Sequence, residues 1–201
     1  MVVVGIIGPI ASGKSVVAEE LERLGAAVIR ADDVSRELLQ PGSELLAEVV
    51  EEFGGGFLKA DGSLDRRALG AAILDDDGAR RRLEWIVHPA MVARMGELVD
   101  EIRRVGATPV TVIEAANLVE MGALALVDVT VMVTAPREER IRRLMRRDGI
   151  GRERAETLVK LHERMGIGEH CTHHVLSTNC CIDDTRRAAQ RLWRELTERL
   201  E

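Results

Sequence analysis

The run Gly8-Pro9-Ile10-Ala11-Ser12-Gly13-Lys14-Ser15 fits the spacing G-x-x-x-x-G-K-[ST], which gathers what a polyphosphate needs. N–H groups at a helix start lack intrahelical acceptors and sit at the positive end of the helix dipole, so several donors converge on one anion. The predicted nucleotide contacts are Gly8, Ile10, Ala11, Ser12, Gly13, Lys14 and Ser15. Lys14 adds a mobile cation for the β and γ phosphates, and the Ser15 hydroxyl is the expected Mg²⁺ ligand. Pro9 lacks an N–H and Ala11 carries a Cβ, but the amides from Ser12 to Ser15 are untouched by either.

Phosphoryl transfer also needs a carboxylate, to hold Mg²⁺ or to take the acceptor's proton. Asp32 closes the segment Val28-Ile29-Arg30-Ala31-Asp32, at the sheet edge where ligands of open α/β sheets bind. Its bland alternative is a helix N-cap, a task Asp33 could fill equally well. Glu114 ends a later apolar segment in the same way and is the second acidic candidate, reaching the metal through water. Arg140, Arg143 and Arg147 recur at i, i+3 and i+7, and a basic helix face beside a phosphate loop can clamp developing charge. A solvated face carrying pairs such as Glu139 with Arg143 is the competing reading for each of them.

These residues need a frame to hold them. Apolar Val/Ile-rich runs at Val2 to Ile7, Ala27 to Ile29, Val110 to Ile113, Val129 to Thr134 and His174 to Ser177 read as strands of a buried parallel sheet. The order strand, loop, amphipathic helix around the glycine-rich run is the context its motif requires. The expected organisation is one domain: a nucleotide-binding core of residues 1–32, 109–136 and 171–201, a helical insertion over 33–108, and a lid over 137–170 that starts near Ala135-Pro136. The tail from Asp183 to Leu200 reads as a helix with Ala188, Leu192 and Leu196 on one face.

At 201 residues and 46% apolar the chain can bury a core. A net charge of −6 offers no general field for nucleic acid, and 2% aromatics leave few stacking platforms. The first apolar run is too short for a signal peptide or a membrane span, so a cytoplasmic, membrane-free protein is expected. Cys171, Cys180 and Cys181 read as free thiols, being odd in number and clustered. The segment from His170 through Cys171, His173 and His174 to Cys181 invites a zinc reading, but it lacks finger spacing.

Taken in order, the loop, Ala31-Asp32 with Arg36-Glu37, Pro41-Gly42, Phe53-Gly54, Asp61-Gly62-Ser63-Leu64-Asp65-Arg66, Leu83-Glu84 with His88-Pro89, Glu114-Ala115-Ala116 with Leu118-Val119-Glu120, and Arg143-Leu144-Met145-Arg146-Arg147-Asp148 resemble the dephospho-CoA kinase family over nearly the whole chain. The resemblance implies a P-loop kinase fold: an α/β protein with a five-stranded parallel sheet flanked by helices, a helical CoA-binding insertion and a helical lid. It implies transfer of the ATP γ-phosphate to the ribose 3′-hydroxyl of dephospho-CoA, with Mg²⁺. On this reading Asp32 matches the family's proposed catalytic aspartate, and Lys14 and Arg143 sit near the transferred phosphate. Arg36, Arg66, His88 and Arg147 lie toward the acceptor, with Glu114 on the substrate side as well.

The sequence departs from the family pattern at several places. Arg30 stands where the family usually has Asp, Pro9 and Ala11 replace common glycines, and Leu158 and His162 occupy lid positions often held by Arg and Gln. Thr172-His173 replaces the usual Ala-Asp pair before the last strand. Another small P-loop kinase, acting on a nucleoside monophosphate or metabolite, is the alternative enzyme. A nucleotide-dependent switch is a different class, and the Asn-Lys-x-Asp it would use is absent. A monomer or small homo-oligomer is expected.

Overall fold

All five apolar segments pair in one parallel sheet: β1 (Val2–Ile7), β2 (Ala27–Arg30), β3 (Val110–Glu114), β4 (Val129–Thr134) and β5 (His174–Ser177), in the order β2-β3-β1-β4-β5. The computed structural model describes residues 1–74, 76–164 and 171–198. Ile6 lies level with Glu114, and Glu114 with Arg30, so β1, β3 and β2 end together at their carboxyl side. β1 is buried after its first residue and β3 up to its last, which is why both read as unbroken apolar runs.

The chain divides into two compact units, one made of Met1–Arg30 with Leu98–Glu201, the other of Ala31–Glu97. In the first, α1 (Lys14–Arg23) and α8 (Ile182–Glu198) cover the sheet. Val17, Ala18 and Leu21 of α1 and Ala189, Leu192 and Leu196 of α8 join the strand residues Val4, Ile6, Val112, Val131 and Val133 in one core. Leu200, the expected end of the last helix, lies outside the described residues. Glu20 is buried where these helices meet, and Arg23 and Gln190 both donate to its Oε1 at 2.6 Å, so its charge is paired rather than stranded.

Two further helices of this unit, α6 (Arg137–Asp148) and α7 (Arg152–Arg164), pack on each other through Ile141, Leu144, Ala155 and Val159. Pro136 is the N-cap of α6, and Gly149, left-handed at φ 64°, ends it. The rest of the expected lid, up to residue 170, lies outside the described residues.

The second unit is helical: α2 (Ala31–Leu38), α3 (Glu44–Phe53), α4 (Arg66–Ala72) and the first part of α5 (Asp77–Val105). Ser43 caps α3 by accepting from Leu46 N at 3.2 Å, and Asp65 caps α4 by accepting from Ala68 N at 2.9 Å. α2 begins directly after β2, so Asp32 stands in the first turn of a helix rather than at the end of the strand. The unit boundary falls inside α5, after Glu97.

Candidate active site

The loop between β1 and α1 makes its sharp turn at Gly8. Here φ is +144°, and a Cβ would lie 2.2 Å from the Val133 carbonyl oxygen of β4, so only hydrogen fits. Gly13, at φ 97°, is the N-cap of α1 and turns the chain into the helix. Ala11 takes φ 58° although it is not glycine. Its methyl group and Ile10 pack against the apolar contact of α6 and α7, which offsets the cost of that backbone conformation. The residue at this departure from the family pattern therefore ties the loop to the two helices beside it.

Lys14 Nζ donates to the carbonyls of Gly8 at 2.9 Å and Pro9 at 3.1 Å, so the ammonium is folded over the loop. The Ser15 hydroxyl donates to Glu114 Oε1 at 2.6 Å. Arg30 Nε lies 3.8 Å from the other oxygen of Glu114 while Arg30 Nη2 donates to Glu22 at 2.6 Å. A hydroxyl and a carboxylate brought together at a phosphate loop are hard oxygen donors, which fits Mg²⁺ and its preference for keeping bound waters.

The three arginines with helical spacing occupy three different environments. Arg140 is 5% exposed and donates through Nη2 to Glu163 of α7. Arg143 donates through Nε to Glu139 at 3.1 Å, through Nη1 to the Ala11 and Ser12 carbonyls at 3.4 and 3.3 Å, and to Thr178 through Nη1 at 2.9 Å and Nη2 at 2.7 Å. Arg147 is exposed and pairs with Asp148. His162 of α7 has its pKa held down to about 4, by burial first and then by the charges of Lys14 and Arg140, which marks α7 as a neighbour of the loop.

Within the helical unit, Asp32, Arg36 and Arg66 gather with Ser35. Arg66 donates to the Ser35 hydroxyl at 3.1 Å and to its carbonyl at 2.7 Å, and Arg36 pairs with Asp33. The pKa of Arg66 is lowered by lost hydration and by Arg36, against a favourable pull from Asp32, so these charges are within electrostatic reach of one another. Burial lowers the pKa of His88, with Glu84 opposing, and the ring is neutral near pH 7.

The residues that sequence reasoning did not single out are Thr178 and Ser35. Thr178 directly follows β5, and its position just past a strand's carboxyl end was the available signal. Elsewhere, His173 Nδ1 is 2.8 Å from the Thr130 hydroxyl, and the three cysteines are free thiols. His170 of the His/Cys-rich segment lies outside the described residues. Among the described residues no three metal-binding side chains come together, and no helix is long and apolar enough to cross a membrane.

Residues 2–176 match the family model described as dephospho-CoA kinase. The chain is 42% identical over 196 residues to the dephospho-CoA kinase of Geobacter sulfurreducens, covering 96% of this chain and 98% of that one. It is 46% identical over 158 residues to that of Anaeromyxobacter dehalogenans, covering 78% and 74% of the two chains. Its fold matches the crystal structure of TT1252 from Thermus thermophilus with a TM-score of 0.74, at 31% identity over 97% of both chains.

Proposed function

The chain belongs to the dephospho-CoA kinase family, and from that premise we propose which of its residues carry out each part of the reaction. It is a phosphotransferase of coenzyme A biosynthesis, phosphorylating dephospho-CoA at the expense of ATP. In our reading the γ-phosphoryl group passes to the ribose 3′-hydroxyl, giving coenzyme A and ADP.

The observation that carries the donor side is the loop from Gly8 to Ser15 with the Ser15 hydroxyl bonded to Glu114. The loop amides bind the phosphates, and Lys14 leaves the Gly8 and Pro9 carbonyls for the β and γ oxygens. Ser15 would hold Mg²⁺ directly and Glu114 through water, and the ion when bound supplies charge neutralisation on the phosphates. Arg143, fixed to the loop carbonyls, adds positive charge behind the transferred phosphate.

The acceptor side falls to Asp32, Arg36, Arg66, His88 and Arg147. Asp32 takes or orients the hydroxyl proton as the oxygen bonds to phosphorus and the bond to the ADP oxygen breaks. Arg36, Arg66 and Arg147 suit the phosphates of dephospho-CoA, and neutral His88 suits a hydrogen bond to it. We place the reaction in the cytoplasm, on a monomer or small homo-oligomer without nucleic-acid partners.

The test is ADP release coupled to a reporter enzyme, with ATP and Mg²⁺, run with dephospho-CoA, AMP, shikimate or no acceptor, and with product mass measured. Release with dephospho-CoA alone and a product of coenzyme A mass is the expected outcome. Release with AMP or shikimate and none with dephospho-CoA would leave a phosphate loop serving another kinase reaction.

A further inference from the structure

We propose that Thr178 is a positioning residue for the nucleotide, setting the orientation of the peptide between Ser12 and Gly13. Thr178 is 2% exposed, and its backbone N–H donates to the Thr134 carbonyl at 2.8 Å, so it is fixed to the end of β4. Its hydroxyl donates to the Ser12 carbonyl at 2.6 Å and accepts from Arg143 Nη1 at 2.9 Å. Arg143 Nη1 also reaches the Ser12 carbonyl, at 3.3 Å, so one peptide oxygen is held from two directions.

The consequence follows from the planar trans peptide, in which the carbonyl and the next N–H point opposite ways. With the Ser12 oxygen turned toward Thr178 and Arg143, the Gly13 N–H is turned away from them. Gly13 is also confined laterally: a Cβ there would lie 3.2 Å from Thr178 Cγ2 and 3.4 Å from Arg143 Nη1. At the N-cap of α1 this N–H is one of the donors a phosphate uses, and a peptide free to flip would present an oxygen to the anion instead. The single hydroxyl of Thr178 therefore acts on phosphate affinity without touching phosphate.

The experiment is calorimetric titration of ADP into the full chain and into Thr178→Val and Thr178→Ser, with melting temperatures measured alongside. Valine keeps the shape and removes the hydroxyl, and its ADP dissociation constant is expected to rise about tenfold, the cost of one lost buried hydrogen bond. Serine keeps the hydroxyl and is expected to bind within twofold of the parent, as a loosely packed side chain that still holds the peptide. Misfolded protein lowers the binding stoichiometry and leaves the dissociation constant of the folded fraction unchanged, so affinity is read separately from stability. A Thr178→Val constant within twofold of the parent, or a tenfold loss in Thr178→Ser, would overturn the assignment. No acceptor is present, so the result stands apart from the identity of the acceptor.

Discussion

The phosphate loop is held by residues 99 to 166 positions away in sequence, whereas the charged groups of the helical insertion are held by Asp33, Ser35, Glu37 and Glu52 of the insertion itself. Ser12 and Thr178 are buried at the loop, while the side chains of Arg36 and Asp33 are 64% and 60% exposed. The phosphate loop is thus tied by side chains both to the strand ends and to α6. The insertion carries its charges on helix surfaces in pairs with neighbouring side chains, which an acceptor as large as the proposed dephospho-CoA would have to exchange for its own phosphates.

The contrast is tested most severely at Lys14. Lys14→Ala is expected to lower kcat/KM by about a thousandfold, because the ammonium seated on the loop carbonyls is the charge that would move to the phosphate oxygens. A loss below tenfold would mean that the loop is less decisive than its construction suggests. Next comes Asp32→Asn, expected to lower kcat about a hundredfold while the ADP dissociation constant stays within twofold, as read by steady-state rates and calorimetry. Near-normal turnover in this variant would remove Asp32 from the chemistry. Arg66→Ala should raise the KM for dephospho-CoA about tenfold and leave the KM for ATP unchanged, and an equal rise in both would erase the division between the two regions.

The smallest effect is on stability and concerns α7 beside the loop. An unfolded histidine titrates near pH 6.5, but folded His162 resists protonation until about 4. Between these values the unfolded chain binds a proton that the folded chain refuses, so stability falls as the pH drops through that window. His162→Gln should remove this part of the acid sensitivity, narrowing the drop in melting temperature between pH 7 and 4.5 by several degrees, on the order of what 2 kcal/mol produces in a chain of this size. Parallel melting curves for the two proteins would place His162 in a more solvated setting.

Local signals were legible in the sequence. The loop motif, the five apolar strands and the helix start after Pro136 each depend on a few adjacent residues, and the structure has β1, β4 and β5 at the expected bounds. The start of α2 was less legible, because strand and helix abut with no turn residue between Arg30 and Ala31. Helical spacing put Arg140, Arg143 and Arg147 on one face, but it could not say that α7 would bury the first, the loop engage the second and solvent reach the third. Ser15 on Glu114 and Thr178 on Ser12 depend on strand order in the sheet, which no local pattern encodes.

The folded-over ammonium of Lys14 has a consequence for covalent labelling. The chain has only two other lysines, Lys59 and Lys160, against 25 arginines, so an amine-directed reagent has few places to react besides the chain's amino terminus. Two carbonyl oxygens already occupy the Lys14 nitrogen in the structure, and a proton must leave it before it can attack an electrophile. Lys59 and Lys160 thus serve as internal standards, and the acylation rate of Lys14 relative to theirs reports how often the amine leaves its carbonyl seat.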